Sequence, residues 1–225
     1  MLNLLVVAHP DDEILGFGAT GAKLVKTGEV VQPIILCGDV DARTGRPTNI
    51  ELNEDMLKAN RLLGFSDPIL GSFPNIRMNT IDHIDIVQFI EKQIIKFEPS
   101  RIFTHHPSDL NNDHVQISNA CAAAARLFQR RSDVTRLQSL NYMEILSATD
   151  WSFPLNEGGF SPNTYIDISD YLDIKISALD CYRGVMRDAP HPRSETVMRG
   201  HAAYRGAQSG FVYAESFQTV FQTNF

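Results

Sequence analysis

The sequence predicts an α/β fold, with a mostly parallel sheet and helices on both of its faces, in a single domain that covers residues 1–225. Two observations carry this prediction. Short apolar runs alternate with segments of helical spacing, which is the pattern of successive βαβ units. Polar clusters rich in His and Asp come directly after two of the apolar runs, at the strand ends where open α/β sheets bind ligands.

The first half of the chain has the clearest alternation. Its apolar runs predict strands at Leu2–Ala8, Val30–Cys37, Ile69–Phe73 and Arg101–Thr104. Segments of helical spacing lie between and after them, at about Ile14–Gly28, Glu51–Leu63, Ile81–Phe97 and Asp113–Arg130. Gly64 is a suitable left-handed terminator for the second of these helices, and Pro99 ends the third.

The second half is less regular. Two further strands are predicted at Leu140–Ile145 and Thr164–Ile168, with the loop Ser147–Asn163 between them. Helices are predicted at Asp170–Met186 and Ser194–Arg205, on either side of a Pro-rich break, and Phe211–Phe217 fits a strand or a short helix. No linker or internal repeat interrupts this organisation, which favours one domain.

Composition excludes several classes of function. The chain is 43% hydrophobic and 21% charged, as ordinary globular proteins are, and its net charge of −7 with scattered basic residues argues against nucleic-acid binding. No apolar run approaches the roughly 20 residues of a membrane helix, and no signal peptide is recognisable. Three distant cysteines, Cys37, Cys121 and Cys181, suggest reduced thiols and a cytoplasmic protein. The oligomeric state stays open, and a homo-oligomer is compatible with the sequence.

Two polar clusters carry the chemistry. The first is Ala8-His9-Pro10-Asp11-Asp12-Glu13, directly after the first predicted strand, and the second is the segment His105–His114, directly after the fourth. If those strands lie side by side, the clusters meet in space. Zinc binds imidazole nitrogen and carboxylate oxygen together, and catalytic zinc sites keep one position for water. The pair of clusters therefore favours metal-assisted hydrolysis.

A ligand set follows from the spacing. His9 and Asp12 are three residues apart in a turn that leads into a helix, so both can face one point, and His114 at the start of a later helix supplies a third ligand. We expect Zn²⁺ at this site, although other divalent transition metals are compatible with the same donors. Asp11, next to a ligand, is left to act as the general base.

Simpler interpretations remain open for parts of these clusters. Acidic residues favour the first turn of any helix, so the first cluster alone could be a helix start. Asp113 could cap a helix, contact a ligand from behind, or do both. Gly16-Phe17-Gly18-Ala19-Thr20-Gly21 fits the dinucleotide-binding pattern GxGxxG but comes too late after the strand. We expect those glycines to let the helix pack closely on the sheet.

Other residues are candidates for substrate contact. Arg43 and Arg46, in the loop after the second strand, could bind an anionic part of the substrate or lie in solvent. His191 and Arg193, in the Pro-rich break, could fold back over the pocket. Trp151, Phe153 and Phe160 could pack against a ring of the substrate or against the rest of the protein.

The pattern AHPDDE followed by a later PxDxxxDH resembles the zinc-dependent de-N-acetylases of the PIG-L/LmbE family. The similarity also extends to Pro74–Asn79, Asp167–Tyr171, His191–Ser194 and Tyr204–Phe217. The resemblance implies a Rossmann-like fold and removal of acetyl groups from N-acetylglucosamine-type sugars, or cleavage of related amides. It implies His9, Asp12 and His114 as metal ligands, Asp11 as general base, and Asp113 as the acidic residue before the last ligand. We also expect His106 and Asp109 to contact the substrate.

One position departs from the family pattern. Many members have a His three residues before the last ligand, where this chain has Asn111. An Asn donates a hydrogen bond to an oxyanion but cannot deliver a proton. Either Asp11 both takes and returns the proton, or another group such as His106 or His191 returns it.

The sequence therefore predicts a zinc-dependent hydrolase that releases acetate from a small N-acetyl amino sugar, free or linked to a nucleotide or phosphate. The nearest alternative is the same metal chemistry acting as an amidase on a sugar conjugate or another amide. A non-catalytic nucleotide-binding module is a further alternative. A phosphoesterase with two metal ions is a third, although the ligands look too few for two ions.

Overall fold

The computed structural model describes residues 1–38, 47–153 and 158–224. Its strands are β1 (Leu2–Val7), β2 (Val30–Ile35), β3 (Ile69–Leu70), β4 (Arg101–His105), β5 (Ser139–Met143), β6 (Thr164–Asp167) and β7 (Ala214–Gln222). Its helices are α1 (Asp12–Lys26), α2 (Asn49–Leu62), α3 (His83–Phe97), α4 (Asn112–Ala124), α5 (Leu127–Arg130), α6 (Leu172–Leu179) and α7 (Glu195–Ser209), with a 3₁₀ turn at Met78–Thr80.

The strands form one seven-stranded sheet in the order β3-β2-β1-β4-β5-β7-β6. Strands β1 to β5 pair with one another in parallel, whereas β7 pairs antiparallel with both β5 and β6. The order reverses between β1 and β4, which is the switch point where α/β sheets bind ligands. The predicted fold class is confirmed.

Helices cover both faces of the sheet, so β1 is buried on both sides. Leu5 and Val7 pack into a core shared with α1, α2 and α6. Leu4 and Val6 pack into a second core shared with α3 and α4. Successive side chains of a strand point to opposite faces, so one continuous apolar run supplies both cores.

The glycines of the GxGxxG pattern lie inside α1 and allow close packing. A Cβ atom on Gly16 would lie 2.6 Å from the Met143 sulfur on β5, and one on Gly21 would lie 2.2 Å from the Phe65 ring. These distances are far shorter than a normal contact. At Gly16 the helix therefore approaches the sheet closely because the residue lacks a side chain, and at Gly21 it approaches the segment after α2 for the same reason.

Several predicted elements differ in extent from the structure, and the strand expected at Ile69–Phe73 covers only Ile69–Leu70. The helix expected over Asp113–Arg130 is interrupted at residues 125–126, where Arg126 stacks over the Phe221 ring at 4.6 Å. The helix expected over Asp170–Met186 ends at Leu179 because the following turns carry Tyr182 into the core. The final segment is a strand that continues to Gln222, well beyond the expected end at Phe217.

Two further observations concern the chain as a whole. Cys37, Cys121 and Cys181 are all free thiols. Over the three described stretches, no helix combines the length and the apolar character needed to cross a membrane.

Candidate active site

The two polar clusters meet at the switch point, because β1 and β4 are parallel neighbours whose carboxyl ends lie side by side. Three potential ligand atoms lie almost equidistant. His9 Nδ1 is 3.3 Å from Asp12 Oδ2, His114 Nε2 is 3.2 Å from the same oxygen, and the two ring nitrogens are 3.4 Å apart. The sequence prediction that these residues come together is supported by this geometry.

The donor set fits a zinc ion. Zinc binds imidazole nitrogen and carboxylate oxygen at about 2.0–2.2 Å with tetrahedral geometry, which places neighbouring donor atoms about 3.3–3.6 Å apart. The three observed separations of 3.2–3.4 Å are close to the edges of one face of such a tetrahedron. A fourth position would remain open on the side of the cavity, as in catalytic rather than structural sites.

The electrostatics of the three residues also favour a cation. Burial lowers the pKa of His114, but the nearby Asp12 and Asp109 carboxylates outweigh burial and raise this pKa to about 10. Burial raises the pKa of Asp12, but His114 and His9 outweigh it and hold this pKa well below its usual range. A divalent cation that binds here would take the place of the His114 proton, so its binding would release a proton.

A carboxylate lies behind each histidine ligand. Asp113 Oδ2 is 3.0 Å from His9 Nε2, and Asp109 Oδ2 is 3.1 Å from His114 Nδ1. Such contacts fix the tautomer and the orientation of a metal-binding ring, because the outer nitrogen keeps its proton and leaves the inner one to the metal. Both histidines are therefore held with the correct nitrogen toward the common point.

Asp113 is itself held by the chain around the 3₁₀ turn. It accepts hydrogen bonds from the backbone N–H groups of Ile76 at 2.6 Å and Met78 at 3.0 Å. The cap of α4 is a different residue: Asn111, whose Oδ1 accepts from the Asp113 N–H at 3.0 Å. The alternative that Asp113 caps this helix is thus wrong, and Asp113 supports His9 instead.

Asn111 has a defined amide orientation. Because its oxygen accepts from a backbone N–H, its NH₂ group is the donor end. Asn111 also lines the cavity beside the three potential ligands. This arrangement is compatible with the expected role as a hydrogen-bond donor to an oxyanion.

His106 and Asp109 lie away from the cavity wall, although the sequence suggested substrate contact for both. Asp109 is buried behind His114 and accepts from the Thr149 hydroxyl at 2.8 Å. Both ring nitrogens of His106 are engaged, with Ser108 Oγ at 2.7 Å and Gln218 Oε1 at 3.0 Å. The structure therefore does not bring these two residues to the position where a substrate would bind.

Asp11 is held in an unusual conformation beside the ligands. Its φ of 109° lies in the left-handed region, which costs a non-glycine residue about 1–3 kcal/mol. Its Oδ2 is 2.9 Å from Arg193 Nη1, and the Arg193 Nε in turn donates to Ser147 Oγ at 2.7 Å. Arg193, expected to bind substrate, is thus the ionic partner of the predicted general base.

A buried glutamate supports the same turn, and the sequence interpretation gave it no role. Glu13 Oε2 accepts from the Asp11 N–H at 3.0 Å, while its Oε1 accepts from Asn60 Nδ2 at 2.9 Å and from the Tyr182 hydroxyl. Burial raises the pKa of Glu13 to about 7, although the hydrogen bonds from Tyr182 and Asn60 oppose this rise.

A cavity of about 500 Å³ opens next to these groups. Of the residues singled out in the sequence, those that line it are His9, Asp11, Asp12, Asn111, His114, Trp151, His191 and Arg193. Arg43 and Arg46 lie outside the described residues. The volume is within the range of about 300–1,000 Å³ that is typical of small-molecule sites.

His191 and Trp151 form part of the outer wall. His191 Nδ1 accepts from the Arg193 N–H at 3.0 Å, so the neutral ring carries its proton on Nε2. The Trp151 ring meets the His191 ring edge-on, with centroids 5.5 Å apart, and Trp151 keeps 45% of its surface exposed. Phe160 instead packs edge-on against His106, and Phe153 is 74% exposed.

His105 is a second residue of the site without a role in the sequence interpretation. Its ring stacks on His114 with centroids 3.7 Å apart, and its Nε2 accepts from the Ala8 N–H at 2.8 Å. Burial and the nearby His114 charge lower the pKa of His105 to about 3, which keeps the ring neutral. The position of His105 at the end of β4 could have indicated that it belongs to the site. The adjacent His106 has nearly the same position, so the sequence did not distinguish the two residues.

Comparisons with known proteins show what this chain is similar to. A diacetylchitobiose deacetylase of Thermococcus kodakarensis is 23% identical over 232 residues, covering 96% of this chain and 82% of that protein. An uncharacterized deacetylase of Escherichia coli, YaiS, is 28% identical over 128 residues, covering 55% of this chain and 67% of that protein. Among solved structures, the conserved protein TT1542 of Thermus thermophilus has a TM-score of 0.81 at 23% identity, covering 100% of this chain and 97% of that one.

The sequence model of the GlcNAc-PI de-N-acetylase family, PIG-L, matches residues 4–125, which is just over half of the chain. The matched segment contains both polar clusters, from the end of β1 through the start of α4. The resemblance inferred from AHPDDE and PxDxxxDH is therefore confirmed, and this chain belongs to the PIG-L family.

Proposed function

We propose that this protein is a zinc-dependent hydrolase that removes the N-acetyl group of an amino sugar and releases acetate. The observation that carries the proposal is the set of three zinc-compatible donor atoms 3.2–3.4 Å apart, with the Asp11 carboxylate beside them in a cavity of about 500 Å³. A metal ion that activates water, with a carboxylate beside it to transfer the proton, is a known arrangement for hydrolysis of an amide.

His9, Asp12 and His114 would hold the zinc ion, and Asp109 and Asp113 would keep the two imidazoles in the ligating tautomer. When bound, zinc acts as a Lewis acid that polarises a carbonyl oxygen and lowers the pKa of water from about 15.7 to about 7. The chain's own residues must supply proton transfer and the hydrogen bonds to the developing negative charge.

Asp11 is the proposed general base. Its carboxylate lines the cavity next to Asp12, and Arg193 Nη1 holds its Oδ2 at 2.9 Å, so it is placed to accept a proton from the attacking water. The acetyl carbonyl carbon then has four substituents, and the bond to nitrogen breaks when the leaving amine receives a proton. Asp11, having taken one proton, is the nearest group able to return it.

Two neutral side chains of the cavity are proposed to assist the reaction, Asn111 at the oxyanion and His191 at the leaving amine. The Asn111 NH₂ group is oriented as a donor and is proposed to stabilise the oxyanion. His191, with its proton on the nitrogen that does not contact Arg193, is an alternative donor to the leaving amine. His106 is not retained for this role because both of its ring nitrogens are engaged away from the cavity.

The amino-sugar substrate is supported by the family and by the activity for which a relative is named. The family is described by its action on an N-acetylglucosamine lipid, and the Thermococcus relative is named for diacetylchitobiose. The cavity is wide enough for a substituted sugar rather than for the acetyl group alone. The same chemistry on another sugar amide is the alternative.

The test is acetate release by zinc-loaded protein across free, phosphorylated and nucleotide-linked N-acetyl amino sugars. Asp11→Asn is the matched control, because it preserves size and removes the base. We expect release by the wild type and a loss of roughly 10²–10⁴-fold in the variant, with zinc retained. If zinc-replete wild-type protein released no acetate from any member of the panel, the amino-sugar substrate would be contradicted. Failure to retain zinc would contradict the ligand assignment.

A further inference from the structure

We propose that Glu13 is a positioning residue, whose buried carboxylate holds the backbone of the general base Asp11 in its left-handed conformation. The proposal rests on the proposed function, because it assigns Asp11 as the base. Two observations support it: hydrogen bonds from three separate parts of the fold converge on Glu13, and Asp11, which donates one of them, has a left-handed backbone.

The turn before α1 requires support. Asp11 stands at the N-cap position with φ 109° and ψ −29°, whereas a normal N-cap residue has an extended backbone. Its side chain makes no capping hydrogen bond to the helix, and its carbonyl accepts from the N–H groups of Ile14 at 3.1 Å and Leu15 at 2.9 Å. This conformation directs the carboxylate of Asp11 to the cavity rather than onto the helix end.

Glu13 directly stabilises the left-handed backbone conformation of Asp11. The Asp11 N–H donates to Glu13 Oε2 at 3.0 Å, so the amide that the unusual φ turns inward has a buried acceptor. If Asp11 relaxed to an ordinary φ, this N–H would turn away, and a fully buried carboxylate would lose a donor. The contact therefore favours the left-handed conformation over the relaxed one.

Glu13 is itself fixed by elements that do not reach the metal ligands. Asn60 on α2 donates to Oε1 at 2.9 Å, and its Nδ2 also donates to the Met56 carbonyl at 2.9 Å. The Tyr182 hydroxyl, from the turns after α6, donates to the same Oε1. Since Asn60 and Tyr182 are both buried, the carboxylate has one defined position.

The chemistry of this contact requires a carboxylate. Three donors meet the two oxygens of Glu13, and a carboxylate accepts from all of them. A glutamine would present its NH₂ group either to the Asp11 N–H or to the Asn60 NH₂ group, and either choice sets two donors against each other. Glu13 thus holds the main chain of Asp11, while Arg193 holds its side chain at 2.9 Å.

The test compares Glu13→Gln and Tyr182→Phe with the wild type on a substrate found in the acetate-release panel. We expect kcat to fall roughly 10- to 100-fold in Glu13→Gln, and less in Tyr182→Phe, through misplacement of the base. KM and zinc content should remain at wild-type values. Glu215→Gln is a control for removal of a buried carboxylate, because Glu215 also accepts from a backbone N–H, at 2.7 Å from Thr20, but pairs with Lys175 and lies outside the lining of this cavity.

A double-mutant cycle separates positioning of Asp11 from general stabilisation. If Glu13 acts through Asp11, then adding Glu13→Gln to Asp11→Asn causes no further loss of the residual kcat. Losses that multiply in the double variant would overturn the proposal, as would a wild-type kcat in both single variants or a fall in zinc content that accounts for the lost activity. An inactive, zinc-replete wild type would instead contradict the proposed function.

Discussion

Replacement of Asp109 by Asn tests whether the carboxylate behind His114 controls zinc binding. Asp109 Oδ1 accepts from the Asn111 N–H at 2.9 Å, while Oδ2 faces His114 Nδ1 at 3.1 Å and accepts from the Thr149 hydroxyl at 2.8 Å. If the new amide keeps its oxygen toward the Asn111 N–H, its NH₂ group faces His114. The imidazole then favours the tautomer with its proton on Nε2, which is the atom that must bind the metal.

The expected magnitude follows from this change of tautomer. Loss of a carboxylate behind a histidine ligand weakens metal binding by about 10- to 100-fold, which corresponds to about 1.4–2.7 kcal/mol. We expect Asp109→Asn to raise the Kd for zinc by that factor at pH 7. Activity at saturating zinc should fall much less, because Asp109 does not line the cavity.

The assay is competition for zinc against a chelator of known affinity, followed by acetate release with excess zinc. Asp167→Asn is a suitable control, because Asp167 also accepts from a backbone N–H and a hydroxyl, both of Ser169, but lies on β6. A zinc Kd within twofold of the wild type in Asp109→Asn would refute the argument that Asp109 sets the tautomer of His114.

Three further predictions concern separate features. Asn111→Asp keeps a side-chain oxygen to cap α4 but removes the donor, so kcat should fall by up to roughly 10²–10³-fold with the melting temperature retained, and an unchanged kcat would exclude the oxyanion role. Burial raises the pKa of Glu144, but hydrogen bonds from His201 and Arg205 outweigh it and lower this pKa from an ordinary 4.5 to about 2. The ionised form therefore stabilises the fold by about 3 kcal/mol above about pH 4.5, and this stabilisation is lost as the pH falls toward 2. The free energy of unfolding in urea should therefore depend less on pH in Glu144→Gln than in the wild type between about pH 4.5 and 2. Parallel pH curves for the two proteins would contradict this prediction. Gly206→Ala should destabilise the fold by about 1–3 kcal/mol, because two backbone oxygens lie 2.6 and 2.8 Å from the added Cβ, and a thermal melt at or above that of the wild type would refute this contact.

The proposed metal donors could be predicted because their signal is local. His9 and Asp12 follow β1 within a few residues, and His114 follows β4 at the start of a helix, so strand ends and spacing alone indicate them. The parallel pairing of β1 with β4 then brings them together without any further information from the sequence. The same reasoning predicted the glycines of α1 as packing positions.

The supporting residues could not be predicted because their partners are remote in sequence. Arg193 reaches Asp11 across 182 positions, and Tyr182 reaches Glu13 across 169. Asp109 lies close to the last ligand in sequence, but only the fold shows that it faces His114 from behind rather than the cavity. Local patterns give the kind of side chain, whereas the direction of a side chain at a crowded site depends on tertiary packing.

The position of β7 has a consequence for how the chain folds during synthesis. Strands β5 and β6 are not neighbours in the sheet, and residues 214–222 must lie between them before either pairs on that side. Until those residues leave the ribosome, β5 presents an open parallel-sheet edge, which is a site for association with other chains. A chain truncated before β7 should therefore aggregate more readily than the chain that contains it, because this edge of β5 stays unpaired.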